Sequence, residues 1–488
     1  MKIWKVAGLA ALTLFAGCRV QNPCPEVSWK LYNVYDGAAV PDFTTMGEPD
    51  AEGVTNDFTL LGIPGAIHDH FAARLEGDVY FEEEGKYQIF FVCDDGGLLF
   101  IDDSLAIDHD GKHGISVKTD SIYLSKGVHD FRVDYFNYDK ALKLEVLWSK
   151  DGGPLCRLFN PGPEIPAFVM EQAQEAYERF AAWKGDDETV VFPILTDVHA
   201  SGRDVHKHIG YVAQTDALFH FDFMANLGDI GLNDPLTSTM KWYADQVVAD
   251  TRAEMAKYDG VFLYVAGNHD WDAGEGGHNS SAQLSEWFQQ PSLAKAGGNL
   301  HLVPGKCYGW YDLPDKDLRI ILLNSEGTDA IGTTYIYDDE QLDWLEGVLA
   351  DTPGDMSVIA FSHLCPHSVG WWIVGSMEYK PGSERLMSIF SQYRNAGGRL
   401  LAVICGDSHC NACGVQDGVP YYISQGYGGD MGIEGMQQDK QKRAWFNYTS
   451  SLCVDVIGIK PATGEVRSFR MGAGGADMDY IIADNQSL

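Results

Sequence analysis

The sequence predicts an all-β sandwich over residues 26–157, followed by an α/β domain over residues 189–475. Three observations carry that expectation. Residues 26–150 alternate apolar and polar positions in short runs, as in "DVYFEEEGKYQIFFVCDDGGLLFIDDSLAID", with Gly and Asp turn signals between them. From Asp151 to Pro166 the composition shifts to Gly and Pro ("DGGPLCRLFNPGPEIP"), which marks a boundary. Beyond it, nearly continuous apolar runs such as "VVFPIL", "LRIILLN" and "RLLAVIC" alternate with helical stretches such as "DDEQLDWLEGVLA", the texture of strands buried on both faces.

The first element is an export signal. "MKIWKVAGLAALTLFAGC" has Lys2 and Lys5, an apolar run from Val6 to Phe15, and small residues before Cys18. It is too short to span a bilayer, and no later stretch reaches the ~20 apolar residues a spanning helix needs. "LFAGC" resembles a bacterial lipobox, with Phe15 where Leu is commoner. That resemblance implies residues 1–18 as signal peptide, lipidation of Cys18, and an exported lipoprotein facing the periplasm or the cell surface, held to the membrane by lipid alone. Cleavage near Ala16, with Cys18 free or paired, is the alternative.

The 488 residues are 45% hydrophobic, enough for two cores, and a formal charge of −35 from 70 acidic and 35 basic residues disfavours nucleic acid and anionic membrane surfaces as partners. Between the two domains, residues 158–188 form a linker and a helix, "AFVMEQAQEAYERFAAWK", with apolar residues at three- and four-residue steps. Residues 476–488 are read as a tail. No internal repeat or low-complexity tract stands out.

In the second domain the chemistry gathers where apolar strands end, the place where open α/β sheets bind ligands. "VVFPIL" runs into "TDVHASG", giving Asp197 and His199. "MANLGDIG" gives Asp229, "YVAGNHDWD" gives Asn268, His269 and Asp270, "IAFSHLCPH" gives His363, and "VICGDSHC" gives Asp407 and His409. One such turn is ordinarily a solvated strand end. Five in order form a pattern of metal-ligand residue types.

This order resembles the calcineurin-like metallophosphoesterases, whose motifs are Asp-x-His, Gly-Asp, Gly-Asn-His-Asp/Glu, a single His, and Gly-His-x-His. The resemblance implies an α+β four-layer sandwich over 189–475, and the stretch "VDVIGIKPATGEVRSFRMGAGG" resembles the family's closing strands. It implies two divalent ions (Mn, Fe or Zn) acting through a bridging hydroxide. Asp197, His199, Asp229 and His409 would hold one ion, and Asp229, Asn268, His363 and position 407 the other. His269 would assist the leaving group, and Asp270 would orient His269. The chain departs from the pattern at Asp407, where the family carries His. Either the carboxylate is a ligand in another guise, making the second site rich in oxygen and favouring Mn²⁺ or Fe²⁺, or that site has decayed.

In the first domain, "FVCDDGGLLFIDDSLAIDHDGKH" with its flanking strands resembles the protective-antigen-type β-sandwich. In sugar-binding adhesins of that group two adjacent aspartates hold Ca²⁺ against a glycan, and Asp94 and Asp95 match that pair; a structural turn is the other reading. Ten cysteines permit disulfides in an exported protein, with Cys24 and Cys156 bracketing the sandwich, while Cys410 and Cys413 are expected buried or disulfide-linked. Trp371 and Trp372 are expected to pack or to wall a substrate. His206 and His208 are expected at the surface. The function expected is hydrolysis of a small or glycan-linked phosphate ester, mono- or diester; the alternative is a lipid-anchored glycan-binding protein with an inert second domain.

Overall fold

The computed structural model describes residues 26–484, apart from 56–57, 61–62, 64–69, 139–142, 152–155, 158–164, 201–203, 233–240, 271–278, 328–336, 367–380, 428–440 and 443–450. Cys18, Cys24, Trp371 and Trp372 lie outside the described residues. The chain divides into two compact units, with Gly162 and Pro163 at the junction.

In the first unit the alternating sequence forms two antiparallel sheets. A six-stranded sheet runs in the order Ala51–Thr55, Val27–Tyr32, Phe71–Phe81, Gly127–Asn137, Gly96–Ile101, Ser104–His109, and a four-stranded one in the order Cys156–Arg157, Lys143–Lys150, Gly85–Asp94, Ser116–Leu124. Ring contacts join their inner faces. Phe81 of the larger sheet lies 4.8 Å from Tyr87 and 5.9 Å from Trp148 of the smaller, ring centre to ring centre. Aromatic side chains of this size dominate the burial that holds a sandwich together.

The second unit also has two sheets. In one, Phe262–Tyr264, Met224–Asn226 and Val190–Leu195 run parallel, and Cys453–Lys460, Glu465–Gly472 and Tyr480–Ala483 continue antiparallel. In the other, Leu318–Leu322, Ser357–Phe361, Arg399–Cys405 and Val419–Ile423 form a parallel centre flanked by antiparallel strands. One apolar cluster contains Phe192, Ile194 and Ile457 of the first sheet with Ile320, Phe361 and Ile404 of the second, so the sheets share a core. The other face of the eight-stranded sheet is covered by Asp339–Ala350 and Ser383–Asn395, through Leu342, Leu345, Leu386 and Phe390. Asp338 caps the first of these helices, accepting from Gln341 N at 2.7 Å.

Two segments at the edges of this domain are part of its fold. The helix Ala167–Lys184, expected as a helix between the two domains, packs Phe180 and Trp183 on Phe469 and pairs Arg179 with Asp479 at 2.8 Å. Tyr480–Ala483, read as tail, is the edge strand beside Glu465–Gly472. Among the described residues, no helix is long and apolar enough to cross a membrane.

Candidate metal centre

Every site residue predicted in the second domain sits just past the carboxyl end of a strand, and the turns that carry them are stitched together. Asp197 N donates to Gly228 O at 3.0 Å, His199 N to Asp229 O at 2.9 Å, and Gly406 N to His363 O at 2.9 Å. The glycines before the ligands are required by this closeness. A Cβ on Gly267 would meet Asp229 Oδ1 at 2.2 Å, and one on Gly406 would meet Thr196 Oγ1 at 2.1 Å. Asp197, His199, Asp229, Asp407 and His409 all have positive φ, between 44° and 65°. Non-glycine residues rarely adopt that region, and its cost is borne where the surrounding structure over-determines the turn.

The side chains converge as two groups around one carboxylate. Asp197, His199, Asp229 and His409 each place a ligand atom within 4.8 Å of the others. His199 Nε2 lies 3.3 Å from His409 Nε2 and 3.7 Å from Asp229 Oδ2, and His409 Nε2 lies 3.2 Å from Asp197 Oδ1. On the other side, His363 Nε2 lies 3.3 Å from Asp229 Oδ1, 3.1 Å from Asn268 Oδ1 and 3.8 Å from Asp407 Oδ1. Asp229 therefore presents one oxygen to each group.

This donor set fits divalent cations. His363 Nδ1 lies 2.6 Å from Leu227 O, to which it must donate, so Nε2 faces three oxygens with a lone pair or with an added proton. A cation or a proton is needed there. Burial opposes charge on His363, but Asp229, Asp197 and Asp407 outweigh it and hold the ring well above its ordinary pKa. Burial likewise works to raise the Asp229 carboxyl, yet His363, His199 and His269 hold it well below its ordinary value. Asp197 Oδ1 is buried with no hydrogen-bond partner although Oδ2 accepts from Thr196 Oγ1. Asp407 is raised above the usual carboxylate range by burial, with Asp197 and Asp229 adding to it and His363 opposing.

His269 is half-buried, its ring 4.8 Å from that of His199, and its backbone N–H donates to Asp229 Oδ1 at 2.8 Å. The Asp270 carboxylate is taken up by the surrounding turns rather than by the His269 ring among the bonds described. It accepts from Ile230 N at 2.7 Å, Gly231 N at 3.2 Å, Gly267 N at 3.3 Å and Tyr264 OH at 2.8 Å, which ties the Asp229 turn to the Asn268–His269 turn. Burial, then Asp229, pushes its pKa up to about 6.

One further acid belongs to this region. Glu326 is buried two residues past Asn324, with Oε1 accepting from Ser325 Oγ at 2.8 Å and Oε2 without a hydrogen-bond partner. Burial pushes its pKa up to about 8, His363 opposing and Asp229 and Asp407 assisting. The signal was present in "LRIILLNSEG", an apolar strand running into a polar, Gly-containing turn. A single acid in such a turn carries no spacing to set it apart.

Elsewhere the expectations divide. Asp94 and Asp95 are both 4% exposed, and no third His, Cys, Asp or Glu converges on them among the described residues. Asp95 accepts from Tyr138 N, and the Asp94 carbonyl from Tyr135 OH. Cys410 is buried and Cys413 partly buried, and no disulfide joins the two. His206 and His208 are buried rather than exposed, at 4% and 0%. The His208 ring packs 5.1 Å from Tyr427, because the helix Lys207–Gln214 turns that face inward.

Residues 31–157 match the PA14 domain. No curated protein matches the chain. Among solved structures, a dimetal phosphatase from Danio rerio is 16% identical with a TM-score of 0.42, over 60% of this chain and 99% of that one. GAP50, the anchor in the inner membrane complex of Plasmodium, is 14% identical at 0.37, over 61% and 89%. A PA14 sugar-binding domain from an RTX adhesin is 16% identical at 0.22, over 28% and 94%.

Proposed function

We propose that the second unit is a metal-dependent phosphoesterase of the calcineurin-like, four-layer kind, hydrolysing a small or glycan-borne phosphate ester. The observation that carries this is the Asp229 carboxylate, with Oδ2 toward His199 and Oδ1 toward His363, at 3.7 and 3.3 Å. A carboxylate shared between two ligand groups is what a dinuclear site requires. Asp197, His199, Asp229 and His409 would hold one ion, and Asp229, Asn268, His363 and Asp407 the other. When bound, such a pair supplies Lewis acidity toward phosphoryl oxygens and a water acidic enough to yield a nucleophile near neutral pH. With three oxygen donors beside one imidazole, the second group favours Mn²⁺ or Fe²⁺.

The protein's own part is orientation and proton handling. The Leu227 carbonyl fixes the His363 ring so that Nε2 faces the site. His269, half-buried beside His199, hydrogen-bonds or protonates the departing oxygen. The net charge of −35 repels long polyanions, which leaves compact phosphate esters as the substrate class. The test is hydrolysis of p-nitrophenyl phosphate and bis-p-nitrophenyl phosphate by the Mn²⁺-loaded protein, their ratio separating mono- from diesterase action. His269→Ala should cut turnover by about 10²–10⁴-fold with the metal content unchanged. No turnover in fully loaded protein would sink the proposal in favour of a glycan-binding protein with an inert second unit.

A further inference from the structure

A second convergence of ligand types lies in the first unit, beside Asp94 and Asp95, with Cys93 Sγ 3.9 Å from the Asp95 carbonyl. Cys93 is the penultimate residue of Gly85–Asp94, in the four-stranded sheet. His109 ends Ser104–His109, in the six-stranded sheet, and His113 follows in the next turn. One ligand atom from each of Cys93, His109 and His113 lies within 4.8 Å of the other two. The imidazoles stack, with centroids 4.2 Å apart and planes at 25°. Cys93 is a free thiol and fully buried.

The turn that brings His113 in is held in place. Asp110 Oδ1 accepts from Gly111 N at 2.7 Å and from Val40 N at 2.6 Å, and Asp108 Oδ1 accepts from Asp110 N at 3.1 Å. Gly111 lies so close to Gly96 that a Cβ there would meet it at 2.8 Å. Ser116, the cross-strand partner of Cys93, places its hydroxyl 3.1 Å from His109 Nε2 and 3.1 Å from His113 Nδ1. His113 Nε2 lies 3.1 Å from the His109 carbonyl and Nδ1 2.9 Å from the Gly114 carbonyl. A neutral ring has one N–H to donate, so one carbonyl can fix the tautomer while the other ring nitrogen keeps its lone pair. Backbone carbonyls orient ligating histidines in this way.

We propose that Cys93, His109 and His113 bind one zinc-class transition ion that staples the two sheets of the N-terminal sandwich. One thiolate with two imidazoles is a donor set for Zn²⁺ or Co²⁺ and a poor one for Ca²⁺ or Mg²⁺, which take oxygen. Three protein ligands leave the fourth tetrahedral position for water or an incoming donor. Because the ligands come from both sheets, binding adds stability that the metal-free domain lacks.

Co²⁺ titrated into the metal-free full chain tests this, since thiolate ligation gives a near-ultraviolet charge-transfer band that the Asp, His and Asn donors of the second unit cannot produce. The expected result is a band saturating with one thiolate-bound ion, chased by Zn²⁺, lost in Cys93→Ser, and weakened by about 10-fold or more in affinity in His113→Ala. No band in folded protein would overturn the proposal. So would a band that persists in Cys93→Ser, which would move the sulfur ligand to another cysteine. If Cys93→Ser does not fold, His113→Ala decides, and an unchanged Co²⁺ affinity there would overturn it.

Discussion

The two halves of the candidate centre share Asp229 and differ in everything else. One half brings two imidazoles, His199 and His409, with Asp197, and its members lie within 4.8 Å of each other. The other brings one imidazole, His363, surrounded by oxygens of Asp229, Asn268 and Asp407, with Glu326 buried nearby. Burial, with Asp197 and Asp229 adding to it, raises Asp407, and Asp229, Asp197 and Asp407 raise His363 against its own burial, so negative charge gathers where positive charge is favoured. On the proposed function, Asp407 is the second-half ligand that exchanges nitrogen for oxygen, and the centre is chemically asymmetric.

The largest effect should come from removing what the halves share. Asp229→Ala takes an oxygen from each group and also the acceptor of His269 N, so both ions should be lost and turnover should fall by about 10³-fold or more. Metal analysis beside kinetics checks this. A variant that keeps one tightly bound ion would show that the halves are independent and that Asp229 belongs to only one of them.

A smaller effect should come from the residue that makes the halves differ. Asp407→Ala should leave the Asp197 half loaded and weaken the other ion, by at least the roughly 10–100-fold that losing even an outer partner costs. Asp407→His should keep two ions and shift activation from Mn²⁺ toward Zn²⁺, because an imidazole nitrogen replaces an oxygen. Wild-type metal preference in Asp407→His would mean that the carboxylate does not touch the ion.

How much of this was legible in the sequence follows from what each feature depends on. Asp197, His199, Asp229, Asn268, His363, Asp407 and His409 stood out because each follows an apolar strand and is of a ligating type, and both facts are local. The positive φ at Asp197, His199, Asp229, Asp407 and His409 is not local, since it is imposed by turns hydrogen-bonded to one another. His208 read as exposed because its inward face is defined by Tyr427, more than two hundred residues away. The helix Ala167–Lys184 and the strand Tyr480–Ala483 looked peripheral because their partners, Phe469 and Glu465–Gly472, lie at the far end of the chain or beside a turn. Cys93, His109 and His113 had no motif spacing because two sheets, not one segment, bring them together.

The smallest effect concerns Glu326, and it reads the charge of the oxygen-rich half without measuring activity. Its carboxyl is raised in the folded protein to about 8 from an ordinary value of 4.5. Between those values the folded state holds a proton that the unfolded chain has released. Its contribution is therefore fully present below about pH 4.5 and is lost as pH rises toward 8, with a slope of up to about 1.4 kcal/mol per pH unit. Metal-free Glu326→Gln, which cannot ionise, should lack this component, so its melting temperature should fall less than that of the wild type across the window. Loading the wild type with Mn²⁺ should flatten the same dependence, because cationic charge beside His363 and Asp407 favours the ionised carboxylate. Identical pH profiles for variant and wild type without metal would show that Glu326 is already ionised, and that the second half is less starved of positive charge than its geometry implies.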